Sequence, residues 1–171
     1  MPGKRMVRQT SYQTAMTPLS GSLGRPEQND DIQADNRQTM TDRPLLMIVD
    51  DEASIRMYLK TLLESEGFTS IEAANGIEAL KLFDRLGDSV NLLLTDLRMP
   101  WMRGTELAFA MRSEFPRVPV IFMSSEPASA NLHLHDPARG LIYFEKPFPP
   151  QDLISAVRLL LREKSKVSYG R

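Results

Sequence analysis

Polar side chains suited to phosphoryl chemistry follow four short apolar runs of this chain. The residues at these positions are Asp50, Asp51, Asp96, Ser124 and Lys146. Short apolar runs bounded by turn signals are typical of buried parallel strands. Open α/β sheets bind their ligands at the carboxyl ends of such strands. Three carboxylates, a hydroxyl and an ammonium are therefore expected at one edge of one sheet, where they could bind a divalent cation and a phosphoryl group.

Predicted strands and helices alternate from Pro44 onward, which is typical of an α/β fold with a parallel sheet. The strands are predicted at residues 45–50, 70–73, 91–95, 120–123 and 141–144. The helices are predicted at residues 53–66, 75–87, 105–115 and 151–161. For the second helix, the predicted apolar face consists of Ile77, Leu80 and Phe83.

Local signals refine three of these segments. Asn75 and Glu78 form a predicted capping box for the second helix, and Thr105 is the predicted N-cap of the third. Pro127 and Pro137 bracket the stretch between the fourth and fifth strands. Because proline disfavours helical geometry in the residue before it, a fourth helix there is expected to be short, bent or partly unformed.

Length and composition limit the function classes. The chain has 171 residues, enough for one domain, and a net charge of −1, which gives no electrostatic case for nucleic-acid or membrane binding. It has no cysteine and no apolar stretch approaching the ~20 residues of a membrane span, so a cytoplasmic location is expected. Residues 1–43 are polar and predicted to be disordered, residues 44–164 form the predicted domain, and residues 165–171 a short tail.

The segment from Leu45 to Arg162 resembles the receiver domain of two-component response regulators, of the single-domain chemotaxis type. The motifs that carry the resemblance are Ile48-Val49-Asp50-Asp51-Glu52, Leu94-Thr95-Asp96-Leu97-Arg98-Met99-Pro100 followed by Gly104, Pro119-Val120-Ile121-Phe122-Met123-Ser124, and Glu145-Lys146-Pro147-Phe148. The resemblance implies a doubly wound, flavodoxin-like α/β fold, with a five-stranded parallel sheet of order 2-1-3-4-5 and helices on both faces.

The same resemblance implies a role for each carboxylate. Asp96 is the implied phosphoacceptor, whose carboxylate oxygen attacks phosphorus. Asp51 and Asp96 are implied to bind Mg²⁺ directly, Asp50 partly through water, and Arg98 through its backbone carbonyl. The cation would offset the repulsion between the carboxylate and an anionic phosphoryl group.

Five further residues receive roles from the resemblance. Lys146 is implied to pair with Asp96 before phosphorylation and with the phosphoryl group afterwards. The Lys146-Pro147 bond is often cis in this family. Ser124 and Tyr143 are the implied switch residues. Arg98 and Glu126, each two residues beyond a site residue, border the path of attacking water in this family. Their opposite charges could pair across the site and tune the phosphoryl lifetime, or both side chains could point into solvent.

Structural roles remain open for the same residues. The acidic run at 50–52 could cap the first helix, Asp96 could form a turn, Ser124 could be a cap and Lys146 a solvated lysine. All four structural roles would have to hold at once for the phosphoryl site to be absent. Tyr143 could be an ordinary half-buried strand tyrosine. A metal or phosphotransfer role for the histidines of the irregular stretch, or partner docking by the loop tryptophan, has little support; these residues are His133, His135 and Trp101.

The favoured function is a phosphorylation-dependent switch, not an enzyme, with no output domain of its own. Its phosphoryl group would come from a phosphohistidine on a histidine kinase or a histidine phosphotransfer protein. Its target would bind the face built from the fourth helix, the fifth strand and the last helix, and the protein would be a monomer or weak dimer. One alternative is a receiver fragment of a hybrid histidine kinase. Another is an aspartyl-phosphate phosphatase or transferase, which Arg98 argues against because such enzymes typically carry a second acid there.

Overall fold

Five parallel strands form one sheet in the order β2-β1-β3-β4-β5, as predicted. The structure is a computed structural model that describes residues 43–168, with side chains described to Arg162. The predicted extension therefore lies outside the described residues except for Arg43, and so does the end of the predicted tail. The strands are β1 (Leu45–Val49), β2 (Thr69–Ala73), β3 (Val90–Asp96), β4 (Val120–Ser124) and β5 (Leu141–Glu145).

Four α-helices cover the two faces of the sheet within the described part of the chain. They are α1 (Ala53–Ser65), α2 (Gly76–Leu86), α3 (Gly104–Glu114) and α4 (Pro150–Ser168). α4 thus continues beyond residue 164, where the domain was predicted to end. No helix among the described residues is long and apolar enough to cross a membrane.

Side-chain alternation along the strands creates a hydrophobic core on each face. In β1, Met47 and Val49 belong to the core that α2 and α3 cover, whereas Leu46 and Ile48 belong to the core under α1 and α4. Successive residues of a strand point to opposite faces, so a run without polar residues supplies both cores at once. This explains why the strands are continuous apolar runs and the helices are amphipathic.

Two sequence predictions about the helices are wrong in detail. Ile77 was expected on the apolar face of α2 but is 45% exposed, while Ala79 and Phe83 are buried there. The N-cap of α3 is Arg103, not Thr105. The Arg103 backbone N–H donates to the Glu106 carboxylate at 2.9 Å, so an acid in the first turn satisfies the helix end that a threonine was expected to cap.

The stretch between β4 and β5 contains no α-helix, which confirms the prediction that a helix would be incomplete there. Three short 3₁₀ turns replace it, at Ala128–Ala130, Leu132–Leu134 and Pro137–Arg139. Of the apolar side chains in these turns, only Leu134 is buried. The predicted partner face therefore consists of these turns, β5 and α4.

Candidate functional site

Four strand ends bring polar residues to one edge of the sheet. Asp50 directly follows β1, Asp96 and Ser124 end β3 and β4, and Lys146 directly follows β5. β3 neighbours both β1 and β4, and β5 neighbours β4, so these ends are adjacent. The predicted convergence at the carboxyl edge is therefore confirmed for these four residues.

Lys146 connects the two buried carboxylates. Its ammonium Nζ lies 2.7 Å from Asp96 Oδ1 and 2.9 Å from Asp50 Oδ2. The Lys146 backbone N–H donates to the Ser124 carbonyl at 2.7 Å, which ties the residue to the end of β4. The Lys146-Pro147 peptide bond is cis, as expected. Lys146 is thus a site residue and not a solvated loop lysine.

Backbone N–H groups hold the remaining carboxylate oxygens. Asp50 Oδ1 accepts from the Glu52 N–H at 2.9 Å, and Asp96 Oδ2 accepts from the Arg98 N–H at 2.6 Å. The residue at the N-cap of α1 is Glu52, and its side chain makes no capping bond, so the acidic run does not serve as a side-chain cap. Asp51 is exposed and makes no hydrogen bond or ion pair with the described residues.

The pKa values of Asp96 and Lys146 are both raised in this cluster, for different reasons. Burial raises the pKa of Asp96, and the Asp50 charge adds to that rise, although Lys146 and the Arg98 N–H oppose it. Burial alone would lower the pKa of Lys146, but the hydrogen bonds and charges of Asp96 and Asp50 outweigh burial and raise it. The cluster therefore has a negative potential that favours a cation.

Magnesium fits this donor set only with help from backbone and water. No group of three Asp, Glu or His side chains in the described part of the chain could hold a metal ion by itself. The two buried carboxylates, the free carboxylate of Asp51 and the carbonyl of Arg98 are hard oxygen donors. Mg²⁺ prefers such donors and usually keeps several waters, so the chemistry of the set matches the ion.

The predicted switch residues lie together beside this cluster. The Ser124 hydroxyl accepts from the Glu126 N–H at 3.2 Å. Tyr143 is 6% exposed, so it is not half-buried. Its hydroxyl donates to the Glu126 carbonyl at 2.5 Å. Burial raises the pKa of Tyr143, and hydrogen bonds with Ser124 and Asn131 act against that rise. The Tyr143 ring therefore already lies inward in this structure.

Arg98 and Glu126 form an ion pair across the site, as predicted. The Asn131 amide also donates to Glu126, at 3.2 Å to Oε2. The hydrogen bond from Asn131 has the larger effect and the Arg98 guanidinium the next largest, and together they hold the pKa of Glu126 below its usual range. A polar cavity of about 230 Å³ beside the pair is also lined by Arg103 and His133.

Three further residues shape the site, although the sequence had indicated no role there for any of them: Asn131, Thr95 and Gly104. Asn131 is buried and connects Glu126 to the Tyr143 hydroxyl, which lies 3.4 Å from its amide nitrogen. The Thr95 hydroxyl donates to the Asp96 carbonyl at 2.9 Å. A Cβ at Gly104 would lie 2.1 Å from that same carbonyl oxygen, so only glycine fits. Gly104 was part of a matched motif, whereas Asn131 stands in an irregular stretch and gave no signal.

The remaining singled-out residues lie outside the cluster. His133 lines the polar cavity, and His135 accepts a 3.4 Å hydrogen bond from the Tyr143 N–H at Nδ1. Trp101 is 82% exposed and has a φ of 67°, in the left-handed region that few non-glycine residues adopt.

Comparison with known proteins places this geometry among receivers. The family model described as "Response regulator receiver domain" matches residues 46–158. The transcriptional regulatory protein ResD of Bacillus subtilis (strain 168) is 36% identical over 129 residues, covering 75% of this chain and 52% of ResD. The sensor kinase CckA of Brucella abortus (strain 2308) is 34% identical over 121 residues, covering 70% of this chain and 13% of CckA. The chain thus spans about half of ResD and a small part of CckA.

Solved structures agree with the sequence matches. A response regulator receiver domain protein from Clostridium thermocellum superposes with a TM-score of 0.67 at 26% identity, covering 72% of this chain and 98% of that one. A CheY-like receiver from Methanospirillum hungatei JF-1 gives 0.65 at 29% identity, covering 73% and 98%. The receiver domain of the hybrid histidine kinase CckA gives 0.58 at 27% identity, covering 68% and 98%. The fold, the convergent strand ends and these matches together show that the chain belongs to the response regulator receiver domain family of two-component systems.

Proposed function

We propose that this chain is a phosphorylation-dependent signalling switch that accepts a phosphoryl group on Asp96. The observation that carries the proposal is the position of this carboxylate. Asp96 ends the strand at the middle of the sheet, is 8% exposed, and has one oxygen on Lys146 Nζ and the other on the Arg98 N–H. A carboxylate held from both sides is oriented toward one attack direction, which lowers the entropic cost of the reaction.

The donor would be a phosphohistidine on a histidine kinase or a histidine phosphotransfer protein. An Asp96 carboxylate oxygen forms a bond to phosphorus while the phosphorus–nitrogen bond breaks. The imidazole nitrogen keeps the electron pair of that bond and takes up a proton, and the product is an acyl phosphate. Mg²⁺, if held by Asp51, Asp96 and the Arg98 carbonyl, with Asp50 partly through water, would neutralise part of the charge of the transferring group.

The protein residues divide the remaining tasks. Lys146 pairs with Asp96 in the free form, and its ammonium can move to a phosphoryl oxygen once Asp96 carries the phosphoryl group. Ser124 ends the neighbouring strand, and its hydroxyl can donate to another phosphoryl oxygen if it gives up the Glu126 N–H. Glu126 is therefore the residue through which phosphorylation would reach the Tyr143 hydroxyl.

Output would pass through the protein surface to a partner, and we place the switch in the cytoplasm. All secondary structure among residues 43–168 belongs to the receiver fold, so this part of the chain offers a surface and no separate effector. The face of the 3₁₀ turns, β5 and α4 borders Tyr143 and is the proposed target surface. Similarity to the receiver of CckA also supports a second role, as the receiver of a larger hybrid kinase.

The chain would not be a turnover enzyme. Arg98, not an acid, stands two residues after Asp96, and its side chain is paired with Glu126. A general acid or base for repeated hydrolysis is therefore missing from that position. Incubation with a chromogenic phosphomonoester should release about one equivalent per chain or less. Many equivalents would contradict the switch assignment.

Labelling with a small phosphodonor tests the acceptor. Phosphoramidate and Mg²⁺ should label the wild-type chain with alkali-labile phosphate, which intact-mass spectrometry detects. Asp96→Asn should remove the label, and Asp51→Ala should reduce it severely. Asp88→Asn is a matched control because Asp88 is an exposed acid outside the cluster. Full labelling of the Asp96→Asn protein would disprove the assignment.

A further inference from the structure

An apolar groove of about 320 Å³ lies between α3 and the turns that precede β5. Its apolar lining includes Phe122 of β4, Leu134 of the second turn and Leu141 at the start of β5. Phe122 and Leu134 are themselves members of the core on this face of the sheet. The groove therefore reaches down to the hydrophobic core and is not a shallow surface depression.

The groove is open because the chain forms 3₁₀ turns there in place of a helix. Prolines at both ends of the stretch prevent a regular helix that would bury a full apolar stripe. Two large apolar side chains remain in solvent as a result. Phe109 of α3, which lines the groove, is 79% exposed, and Leu132 of the second turn is 71% exposed. Exposed apolar residues beside a groove mark an interaction site more often than single scattered ones.

The groove contains one arginine without a carboxylate partner among the described residues, Arg112, and one that is paired with Asp136 at 3.3 Å, Arg139. Arg112 and Arg139 are the two charged residues in its lining. The Arg112 guanidinium donates to the carbonyls of Arg139 at 2.9 Å and Pro116 at 3.3 Å, and it has no carboxylate partner among the described residues. Burial lowers the pKa of Arg112, and the neighbouring charge of Arg139 lowers it further. A half-buried guanidinium bound only to carbonyls is a site for an incoming carboxylate.

We propose that this groove binds a segment of a partner protein that places a bulky apolar side chain in the groove and a carboxylate on Arg112. The apolar floor accounts for the apolar side chain, and Arg112, with the charge of Arg139 beside it, accounts for the carboxylate. A small molecule seated in the groove would leave Phe109 exposed at its rim, whereas a polypeptide would cover it. This favours a protein segment over a small ligand. None of the residues in the Asp96 cluster lines the groove, so binding should not need phosphorylation.

Selection of peptides against the full chain tests the proposal. A random dodecapeptide library displayed on phage is panned on the wild-type protein, and the recovered peptides are synthesised and titrated by fluorescence anisotropy. They should combine an aromatic or large aliphatic residue with Asp or Glu. Phe109→Ala should weaken binding about tenfold, as loss of a central anchor does. Trp101→Ala is the matched control, because Trp101 is another exposed aromatic residue, and it should bind as wild type.

A second variant tests the contribution of arginine charge to peptide binding at an exposed position, where a substitution should not destabilise the fold. The Arg139 side chain is 80% exposed, so Arg139→Glu should fold normally and should weaken binding of the acidic peptides by at least about tenfold. Amide chemical shifts in the wild-type complex should move at Ala108, Phe122 and Leu141. Asp96→Asn should leave the affinity unchanged, which separates this test from the test of the phosphoacceptor.

Several outcomes would overturn the proposal. The proposal fails if no peptide is recovered or if the recovered peptides lack an acidic residue. It also fails if they bind the Phe109→Ala protein as tightly as wild type. A dimer in sedimentation velocity that Phe109→Ala abolishes would assign the groove to a second copy of the chain. If a protein that starts at Met40 binds the peptides about tenfold more tightly than the full chain, the groove would be assigned to the chain's own amino-terminal segment.

Discussion

The guanidinium of Arg98 and the carboxylate of Glu126 form an ion pair that joins the loop after β3 to the loop after β4. The two residues lie 28 positions apart in the chain. Glu126 also accepts from the Asn131 amide and, through its backbone carbonyl, from the Tyr143 hydroxyl. Glu126 therefore connects the neighbourhood of Asp96, the proposed phosphoacceptor, to Tyr143, the aromatic residue expected to respond to phosphorylation.

This ion pair should slow loss of the phosphoryl group. Arg98→Ala removes the long side chain that borders the approach of water to Asp96, so dephosphorylation should become several-fold faster. The decay is measured by phosphate release after removal of the donor. Arg103→Ala is the matched control, since Arg103 lines the same cavity and is exposed. A decay curve that is unchanged in Arg98→Ala would show that the pair contributes nothing, as with many exposed ion pairs.

The stability that Glu126 contributes should disappear in acid. The folded-state pKa of this carboxyl lies below its ordinary value of 4.5, so its contribution to stability is present above pH 4.5 and is lost as the pH falls through the folded pKa. Glu126→Gln should therefore lower the thermal midpoint at neutral pH, and the difference from wild type should shrink progressively as the pH falls below 4.5. A difference that persisted unchanged in acid would mean that ionisation of Glu126 does not matter to the fold.

Removal of one buried carboxylate should stabilise the metal-free protein. Two carboxylates share the Lys146 ammonium, and the pKa of Asp96 is raised chiefly because burial disfavours its charged form. Asp96→Asn leaves a one-to-one pair of Lys146 and Asp50, so the midpoint of urea unfolding should rise at neutral pH in a chelating buffer. Lys146→Met should have the opposite effect, because it leaves two buried charges unpaired. A lower midpoint for Asp96→Asn would show that its ion pair outweighs its burial.

Gly104 should be the least replaceable helical glycine. A Cβ there would lie 2.1 Å from the Asp96 backbone oxygen, which cannot move without displacing Asp96 itself. Gly104→Ala should cost about 1–3 kcal/mol in urea unfolding. Gly76→Ala is the comparison, because the Cβ would meet only the flexible Met102 side chain, at 2.7 Å, and the cost should be below about 1 kcal/mol. Equal costs would contradict the close approach.

Ser124 should be required for the structural response but not for labelling. Its hydroxyl must leave the Glu126 N–H to reach a phosphoryl oxygen, and this movement would disturb the Glu126–Tyr143 hydrogen bond. Ser124→Ala should still accept phosphate on Asp96. Its amide chemical shifts over residues 124–146 should respond less to beryllofluoride, a phosphoryl mimic, than those of wild type. If the Ser124→Ala protein responds as fully as wild type, the hydroxyl is not the trigger.

The sequence by itself determined the fold class and the four residues at the strand ends, and its resemblance to receiver domains implied the strand order. Continuous apolar runs bounded by turn signals are local features, and parallel connectivity then places their carboxyl ends at one edge. The pairing of Arg98 with Glu126 was also predictable, because each stands two residues beyond a strand-end residue of the site. The helix boundaries were less well determined by the sequence. The helix α3 begins at Gly104 and not at the predicted Thr105, because the Glu106 carboxylate accepts from the Arg103 N–H.

Only the tertiary structure decided which atoms meet. Lys146 lies 96 positions from Asp50 in the chain, and no local pattern shows that one ammonium bridges two carboxylates. Asn131 sits in an irregular stretch without periodicity, so its burial against Glu126 and Tyr143 follows only from how three turns pack on β5. The prolines predicted an incomplete helix, but the open groove beside Phe109 arises because three 3₁₀ turns, and not a regular helix, pack beside α3 on that face of the sheet.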